Sequence, residues 1–145
     1  MKYLVGRADL IQSADRYEAF AEIDRIAGKR GIRQDTLAEI NIGAEPQKAG
    51  VAPEELPELF KRISDLPNIC VKGLMCIPPA AEGDKVRDHF KRMRELFASF
   101  EGPYIPNVSM EILSMGMSGD YAAAVEEGAN MVRVGSAIFG ARQRH

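Results

Sequence analysis

Short apolar segments alternate along this chain with segments of helical periodicity, and this alternation limits the possible folds more than any other feature. The order β-α-β-α-β-α-β-α-β is typical of a parallel sheet whose strands are joined by right-handed helical crossovers. Two architectures fit: a small open doubly wound sheet, or part of a (β/α)8 barrel, which in full needs eight strands and about 250 residues. The five predicted strands cover residues 9–13, 37–42, 69–77, 112–115 and 131–134.

The helical segments between the strands each carry one apolar face. In the clearest of them, which begins at Gly83-Asp84, the other face is charged and contains His89. This pattern predicts a helix that lies on the sheet with one side in solvent, so we expect a solvated histidine rather than a catalytic one. Asp15 and Ser118 are predicted to cap two other helices. The apolar residues of the clearest helix are Val86, Phe90, Met93, Phe97 and Phe100.

The composition fits one domain with a sizeable core, because 46% of the 145 residues are hydrophobic. Acidic and basic residues are interspersed and the net charge is -2, which gives no support for a nucleic-acid or anionic-membrane partner. Cys70 and Cys76 lack the spacing of a zinc site, so we expect free thiols in a reducing compartment. No apolar run reaches the roughly 18 residues of a membrane span, and the first residues lack a signal-peptide core, so we predict a cytoplasmic protein.

Loops rich in glycine and serine follow the last two predicted strands. In both architectures the carboxyl ends of the strands form the ligand-binding face. The turns Ser118-Gly119 and Gly135-Ser136 offer free backbone N–H groups there, and such turns are ready phosphate sites. A phosphate site after the last two strands is a recurrent feature of barrels, so these turns favour part of a barrel. Arg133 is the one charge in the last apolar run, and it needs an anionic or hydrogen-bonding partner if buried.

Four motifs follow one another along the chain: Asn41-Ile42-Gly43 with Lys48-Ala49-Gly50, Gly73-Leu74-Met75-Cys76-Ile77-Pro78, Leu113-Ser114-Met115-Gly116-Met117-Ser118-Gly119-Asp120, and Val132-Arg133-Val134-Gly135-Ser136-Ala137-Ile138-Phe139-Gly140. In these motifs the chain closely resembles the C-terminal part of the pyridoxal phosphate homeostasis proteins (the YggS/PROSC family), which are similar to the barrel domain of alanine racemase. The resemblance covers nearly the whole chain. It implies an α/β fold in which residues 1–145 are the C-terminal portion of a domain that binds pyridoxal 5'-phosphate, an incomplete barrel equivalent to strands four to eight.

The chain also departs from this family. The family's Schiff-base lysine sits at the end of the first barrel strand, and neither that segment nor the two motifs after it are present. Lys48 is then the one lysine that we expect at the mouth of the site, so the resemblance implies weak cofactor binding without a specific covalent attachment. The unpaired edges of the first and last strands favour self-association, or a need for the missing N-terminal half.

The resemblance implies that the last two motifs hold the phosphate. Gly135 and Ser136 match the pair whose backbone N–H groups and hydroxyl bind it, and glycine allows close backbone approach. Ser118 and Gly119 match the second half of this cradle. The other interpretation of Ser118, a plain helix N-cap, is compatible with that role.

Three further residues receive roles near the cofactor ring. Arg133 matches the arginine that points at the pyridine nitrogen in the racemase relatives, and the alternative is a structural arginine paired with a carboxylate inside the barrel. Met115 is placed near the ring, although methionine is more often a core residue. Lys48 matches a family lysine near the pocket, and the alternative is a solvated loop lysine.

Three functions remain open at this point. The resemblance implies a pyridoxal phosphate carrier or homeostasis protein without established turnover. A racemase-like enzyme is the second, although racemases need a second domain and a second catalytic base. The third is an α/β protein that binds another phosphorylated ligand.

Overall fold

The computed structural model describes residues 3–80 and 83–140 as one curved sheet covered by helices. The strands are β1 (Leu10–Ala14), β2 (Gln34–Ile40), β3 (Ile69–Cys76), β4 (Val108–Met117) and β5 (Met131–Arg133). The helices are α1 (Tyr17–Lys29), α2 (Leu56–Ile63, after a 3-10 turn at Pro53–Glu55), α3 (Asp84–Ser99), α4 (Tyr121–Glu126) and α5 (Ser136–Phe139). None of the helices in the described part of the chain has the length and apolar character to cross a membrane.

All strand pairs are parallel, and the spatial order β1-β2-β3-β4-β5 follows the sequence, which confirms the predicted parallel α/β sheet. The sheet is strongly curved. The Ser114 hydroxyl on β4 donates a hydrogen bond of 2.7 Å to Oε1 of Gln12 on β1, although two strands lie between them. In a flat sheet these strands would be about 14 Å apart, which is beyond the reach of a glutamine and a serine. The sheet is therefore a half-barrel, and the two side chains meet on its concave face.

The main hydrophobic core lies between the convex face of the sheet and the helices. Alternate residues of each strand point to this face, as Ala38 and Ile40 do in β2. Phe20 of α1, Phe60 of α2 and Phe90 of α3 are fully buried against it. The predicted face of α3 is confirmed, since Val86, Phe90, Met93 and Phe97 are all buried.

The concave face carries both apolar and polar side chains. Leu37 and Met75 are buried and lie outside the main core, as expected for barrel-interior residues. Polar and charged side chains occupy the same face near the carboxyl ends of the strands, where Gln12, Ser114 and Arg133 are joined by hydrogen bonds and the charges of Glu39 and Arg133 interact.

The bounds of β2 show where apolar patterning fails. The strand begins at Gln34, three residues before the predicted start at Leu37. Gln34 and Thr36 are polar but buried. The Gln34 side chain accepts a hydrogen bond from the Gly6 amide and donates to the Ala8 carbonyl, so its burial is compensated.

The predicted cap of α1 is wrong, and the predicted solvation of His89 holds only in part. Arg16 precedes α1 without a side-chain cap, and Asp15 instead forms an ion pair with Arg16. His89 is half-buried, and its Nδ1 has no hydrogen-bond partner in the described part of the chain. Burial lowers the pKa of His89, and the positive charge of Arg92 acts in the same direction.

The Cys76 thiol at the end of β3 gives the fold a dependence on alkaline pH. It is fully buried, and burial raises its pKa to about 12. An unfolded thiol ionises above about pH 8.5, so stability is complete below that pH and falls as pH rises towards 12, at up to about 1.4 kcal/mol per pH unit. We expect the difference in unfolding free energy between the wild type and Cys76→Ala to shrink by about 2 kcal/mol between pH 7 and 10 in urea titrations. An unchanged difference would contradict burial as the cause.

Candidate functional site

A cavity of about 890 Å³ opens at the carboxyl ends of β4 and β5. It brings together five of the seven residues that the sequence assigned to the site: Ser118, Gly119, Arg133, Gly135 and Ser136. Four further residues complete its described lining: Met117, Val134, Phe139 and Gly140. In residues 3–80 and 83–140, no group of three or more His, Cys, Asp or Glu side chains is placed to hold a metal ion.

Ser118 bonds to the turn that follows β5 rather than capping the next helix. Its hydroxyl oxygen accepts hydrogen bonds of 3.2 Å from the backbone N–H groups of Gly135 and Ala137. The predicted cap of α4 is therefore wrong, because that helix begins at Tyr121 and Asp120 precedes it. Two backbone donors from the start of α5 thus converge on one oxygen atom at the edge of the cavity. The same donors have the geometry to bind an oxygen of an anion.

Glycine at positions 119 and 135 keeps the cavity open. A Cβ atom built on either residue would meet no atom within 4 Å, and neither residue has a positive φ angle that would require glycine. The backbone conformation at these two positions does not require glycine. The absence of a side chain there leaves space for a ligand. Gly135 lines the cavity, so a side chain there would occupy part of its volume.

Arg133 is held by two neutral acceptors. Its Nη1 donates to the Ser114 hydroxyl at 2.6 Å, and its Nη2 donates to the Cys76 carbonyl at 2.8 Å. Burial lowers the pKa of the guanidinium, and the charges of Glu39 and Asp120 act in the opposite direction. A guanidinium has five N–H donors, so these two bonds leave others for a ligand in the cavity that Arg133 lines. Among the described contacts, no carboxylate forms the direct pair that the structural alternative required.

Glu39 belongs to the same concave face, and sequence reasoning missed it. Burial raises the pKa of its half-buried carboxyl, the charge of Asp15 adds to this effect, and that of Arg133 opposes it. The signal was present in the sequence, since Glu39 interrupts the apolar run of β2 between Ala38 and Ile40. An ionisable residue at an inward position of a buried strand marks a polar interior.

The other two predicted site residues do not line the cavity. Met115 is fully buried in the core between sheet and helices, because it lies on the convex side of β4. Met117, two residues later, lines the cavity instead and is 44% exposed. Lys48 lies in the loop between β2 and α2, where its Nζ forms an ion pair of 2.7 Å with Glu45. The charges of both residues influence the pKa of His89 on α3, and neither residue lines the cavity.

A parallel half-barrel with anion-binding donors and an arginine after its last two strands defines the class: a portion of a (β/α)8 domain whose carboxyl-end face suits a phosphorylated ligand. The family model described as "Alanine racemase, N-terminal domain" matches residues 2–143. The chain therefore belongs to the alanine racemase N-terminal domain family.

Individual relatives confirm the resemblance to the pyridoxal phosphate homeostasis proteins. The chain is 47% identical over 144 residues to the protein of that name from Aquifex aeolicus, covering 99% of this chain and 62% of that protein. PipY of Synechococcus elongatus was solved without the cofactor (TM-score 0.87, 31% identity, 96% of this chain and 65% of that chain). It was also solved with pyridoxal phosphate bound (TM-score 0.80, 33% identity, 96% and 64%). The chain thus spans less than two thirds of the length of these relatives.

Proposed function

We propose that this chain binds pyridoxal 5'-phosphate in the cavity after β4 and β5, as part of a non-catalytic carrier in pyridoxal phosphate homeostasis. The observation that supports this most is the convergence of the Gly135 and Ala137 N–H groups on one oxygen atom, that of Ser118, beside the guanidinium of Arg133. The homeostasis relatives and the cofactor-bound PipY structure supply the ligand's identity for those proteins. We extend that identity to this chain, with residues 1–145 as the C-terminal portion of the binding domain.

The phosphate would lie against Ser118, Gly119, Gly135 and Ser136. Backbone N–H groups at the start of α5 would donate to its oxygens, and the Ser118 hydroxyl would turn from acceptor to donor towards the anion. Charge-assisted hydrogen bonds of this kind are roughly twice as strong as neutral ones. Bound pyridoxal phosphate contributes an aldehyde able to react with amines and an electron-withdrawing pyridine ring.

Arg133 would face the pyridine ring from the floor of the cavity. An arginine is effectively always protonated, so it donates a hydrogen bond and cannot accept one. It would therefore keep the ring nitrogen unprotonated, which weakens the ring as an electron sink. Met117 and Phe139 supply apolar surface next to it.

We propose a cytoplasmic location for the chain. The exposed apolar surface beside the cavity supports self-association of the 145-residue chain. Ile138 and Phe139 of α5 are 69% and 86% exposed. Within the described sheet, β1 and β5 are each paired along one edge only. Unpaired edges and exposed apolar side chains favour association with a second copy or with a polypeptide that completes the sheet. Light scattering should show species larger than 16.0 kDa.

The proposed ligand is tested by comparing pyridoxal 5'-phosphate with pyridoxal, which lacks the phosphate. We expect the phosphorylated form to bind at least about tenfold more tightly in an absorbance or fluorescence titration, and inorganic phosphate to compete with it. After borohydride reduction, peptide mapping should find no lysine labelled in stoichiometric amount, with Lys48 the first position to inspect. Equal binding of both compounds would contradict the phosphate site, and one fully labelled lysine would contradict the non-covalent mode.

A further inference from the structure

We propose that Gln12 and Ser114 are positioning residues for Arg133, forming a strut across the concave face that fixes the plane of its guanidinium. The strut itself stands on contacts of this chain alone. Its consequence for a ligand rests on the proposed function, because it concerns how the oriented guanidinium addresses the ring nitrogen of pyridoxal phosphate.

The direction of each hydrogen bond in the strut is determined by the donors available. Arg133 has no acceptor atom, so the 2.6 Å contact between its Nη1 and the Ser114 oxygen is a donation from the arginine. The serine hydroxyl has one hydrogen atom, which it directs to Oε1 of Gln12 at 2.7 Å. Hydrogen bonds therefore run from Arg133 to Ser114 and from Ser114 to Gln12, so the serine is both acceptor and donor. The oxygen of the Gln12 amide faces Ser114.

Both supporting side chains are fixed by the sheet. Ser114 is fully buried on β4, whose backbone pairs with β3 through Met75 and with β5 through Met131. Gln12 lies on β1 at the other side of the curve, 102 residues away in sequence. The second guanidinium bond, from Nη2 to the Cys76 carbonyl, comes from β3. Three strands besides its own thus restrain Arg133, and two contact points fix a planar group against rotation.

An oriented guanidinium presents its remaining N–H groups to the cavity in one direction. A ligand that accepts a hydrogen bond at that point loses less free energy to ordering the arginine, because the arginine is ordered already. The strut should therefore increase the preference for a ring with an unprotonated nitrogen over a ring with a C–H at the same position. Gln12 does not line the cavity and contacts Arg133 through the Ser114 hydroxyl, so its effect on this preference would pass through Ser114.

The test compares Gln12→Leu, which removes the acceptor at similar volume, with Gln12→Glu, which retains an oxygen acceptor. Gln47→Leu in the exposed loop before α2 is the matched control. In ligand-free protein, ¹⁵N NMR measures rotation of the Arg133 Nη groups about their bonds to Cζ. We expect slow rotation in the wild type, in Gln12→Glu and in Gln47→Leu. In Gln12→Leu the rotation rate should be about tenfold higher.

The second readout is the affinity ratio between pyridoxal 5'-phosphate and its 1-deaza analogue, in which a C–H replaces the ring nitrogen. In Gln12→Leu this ratio should fall to near one. In the control Gln47→Leu it should equal that of the wild type. If the Arg133 Nη groups rotate as slowly in Gln12→Leu as in the wild type, the strut does not position Arg133. If rotation responds as expected but the wild type binds neither compound, the strut stands and the proposed function fails. If the wild type binds and the ratio does not respond to Gln12→Leu, the consequence for the ligand is wrong.

Discussion

Replacing Gly135 with leucine should abolish phosphate-dependent ligand binding while leaving the fold intact. A Cβ at this position meets no atom within 4 Å, and the φ angle of Gly135 is -119°, so the backbone tolerates a side chain. The leucine side chain would instead occupy part of the cavity that Gly135 lines, and we expect it to displace a phosphate bound to the Gly135 and Ala137 N–H groups. Loss of two charge-assisted hydrogen bonds, each worth about 1.5–3 kcal/mol, predicts a weakening of about a hundredfold or more.

The control for this substitution is Gly102→Leu. Gly102 also has no atom within 4 Å of a built Cβ, and it lies in the loop between α3 and β4, away from the cavity. Affinity for pyridoxal 5'-phosphate and the thermal midpoint of unfolding should be measured for both variants. If Gly135→Leu binds the cofactor as well as Gly102→Leu does, the phosphate lies elsewhere.

Gly73→Ala should have the largest effect on stability, with a loss of more than about 4 kcal/mol of unfolding free energy. Gly73 lies in β3 with a φ angle of +148°, and a Cβ there would be 1.9 Å from the carbonyl oxygen of Ile112 on β4. That oxygen belongs to the neighbouring strand, to which Gly73 is paired in register. Strand β4 cannot move aside without breaking its hydrogen bonds to β3, which also hold Ser114 in place.

Gly31→Ala separates the clash from the backbone strain. Gly31 has a φ angle of +65° but no atom within 4 Å of a built Cβ, so alanine there should cost only about 1 kcal/mol. Urea unfolding of both variants gives the comparison. Equal losses in the two variants would mean that the close approach of β3 and β4 contributes nothing.

The sequence predicts the architecture well because the alternation of strands and helices is a local property. All five strands and their parallel order follow from it. The start of β2 could not be predicted, because Gln34 and Thr36 are buried through hydrogen bonds that depend on distant residues. In the same way, Asp15 looked like a helix cap until the structure showed its ion pair with Arg16.

The candidate site was predicted in part, for a related reason. The glycine and serine turns are visible as motifs, so Ser118, Gly119, Gly135 and Ser136 could be selected from the sequence. The partner of Ser118 could not, because it lies 17 residues away in the next strand-turn unit. Sheet curvature brings Gln12 to Ser114, and no local pattern encodes that contact. Met115 was assigned to the ring although strand alternation directs it to the core.

The most direct test of the cofactor site is a titration of ¹⁵N-labelled protein with pyridoxal 5'-phosphate, followed by backbone amide shifts. We predict saturable shifts that are largest at Gly119, Gly135, Ser136 and Ala137, together with a response of the Arg133 guanidinium resonances. These are the groups that meet at the cavity after β4 and β5. Shifts that are largest around Glu45 and Lys48, or that are absent at Gly135 and Ala137 at saturation, would contradict the proposal that this cavity binds pyridoxal phosphate.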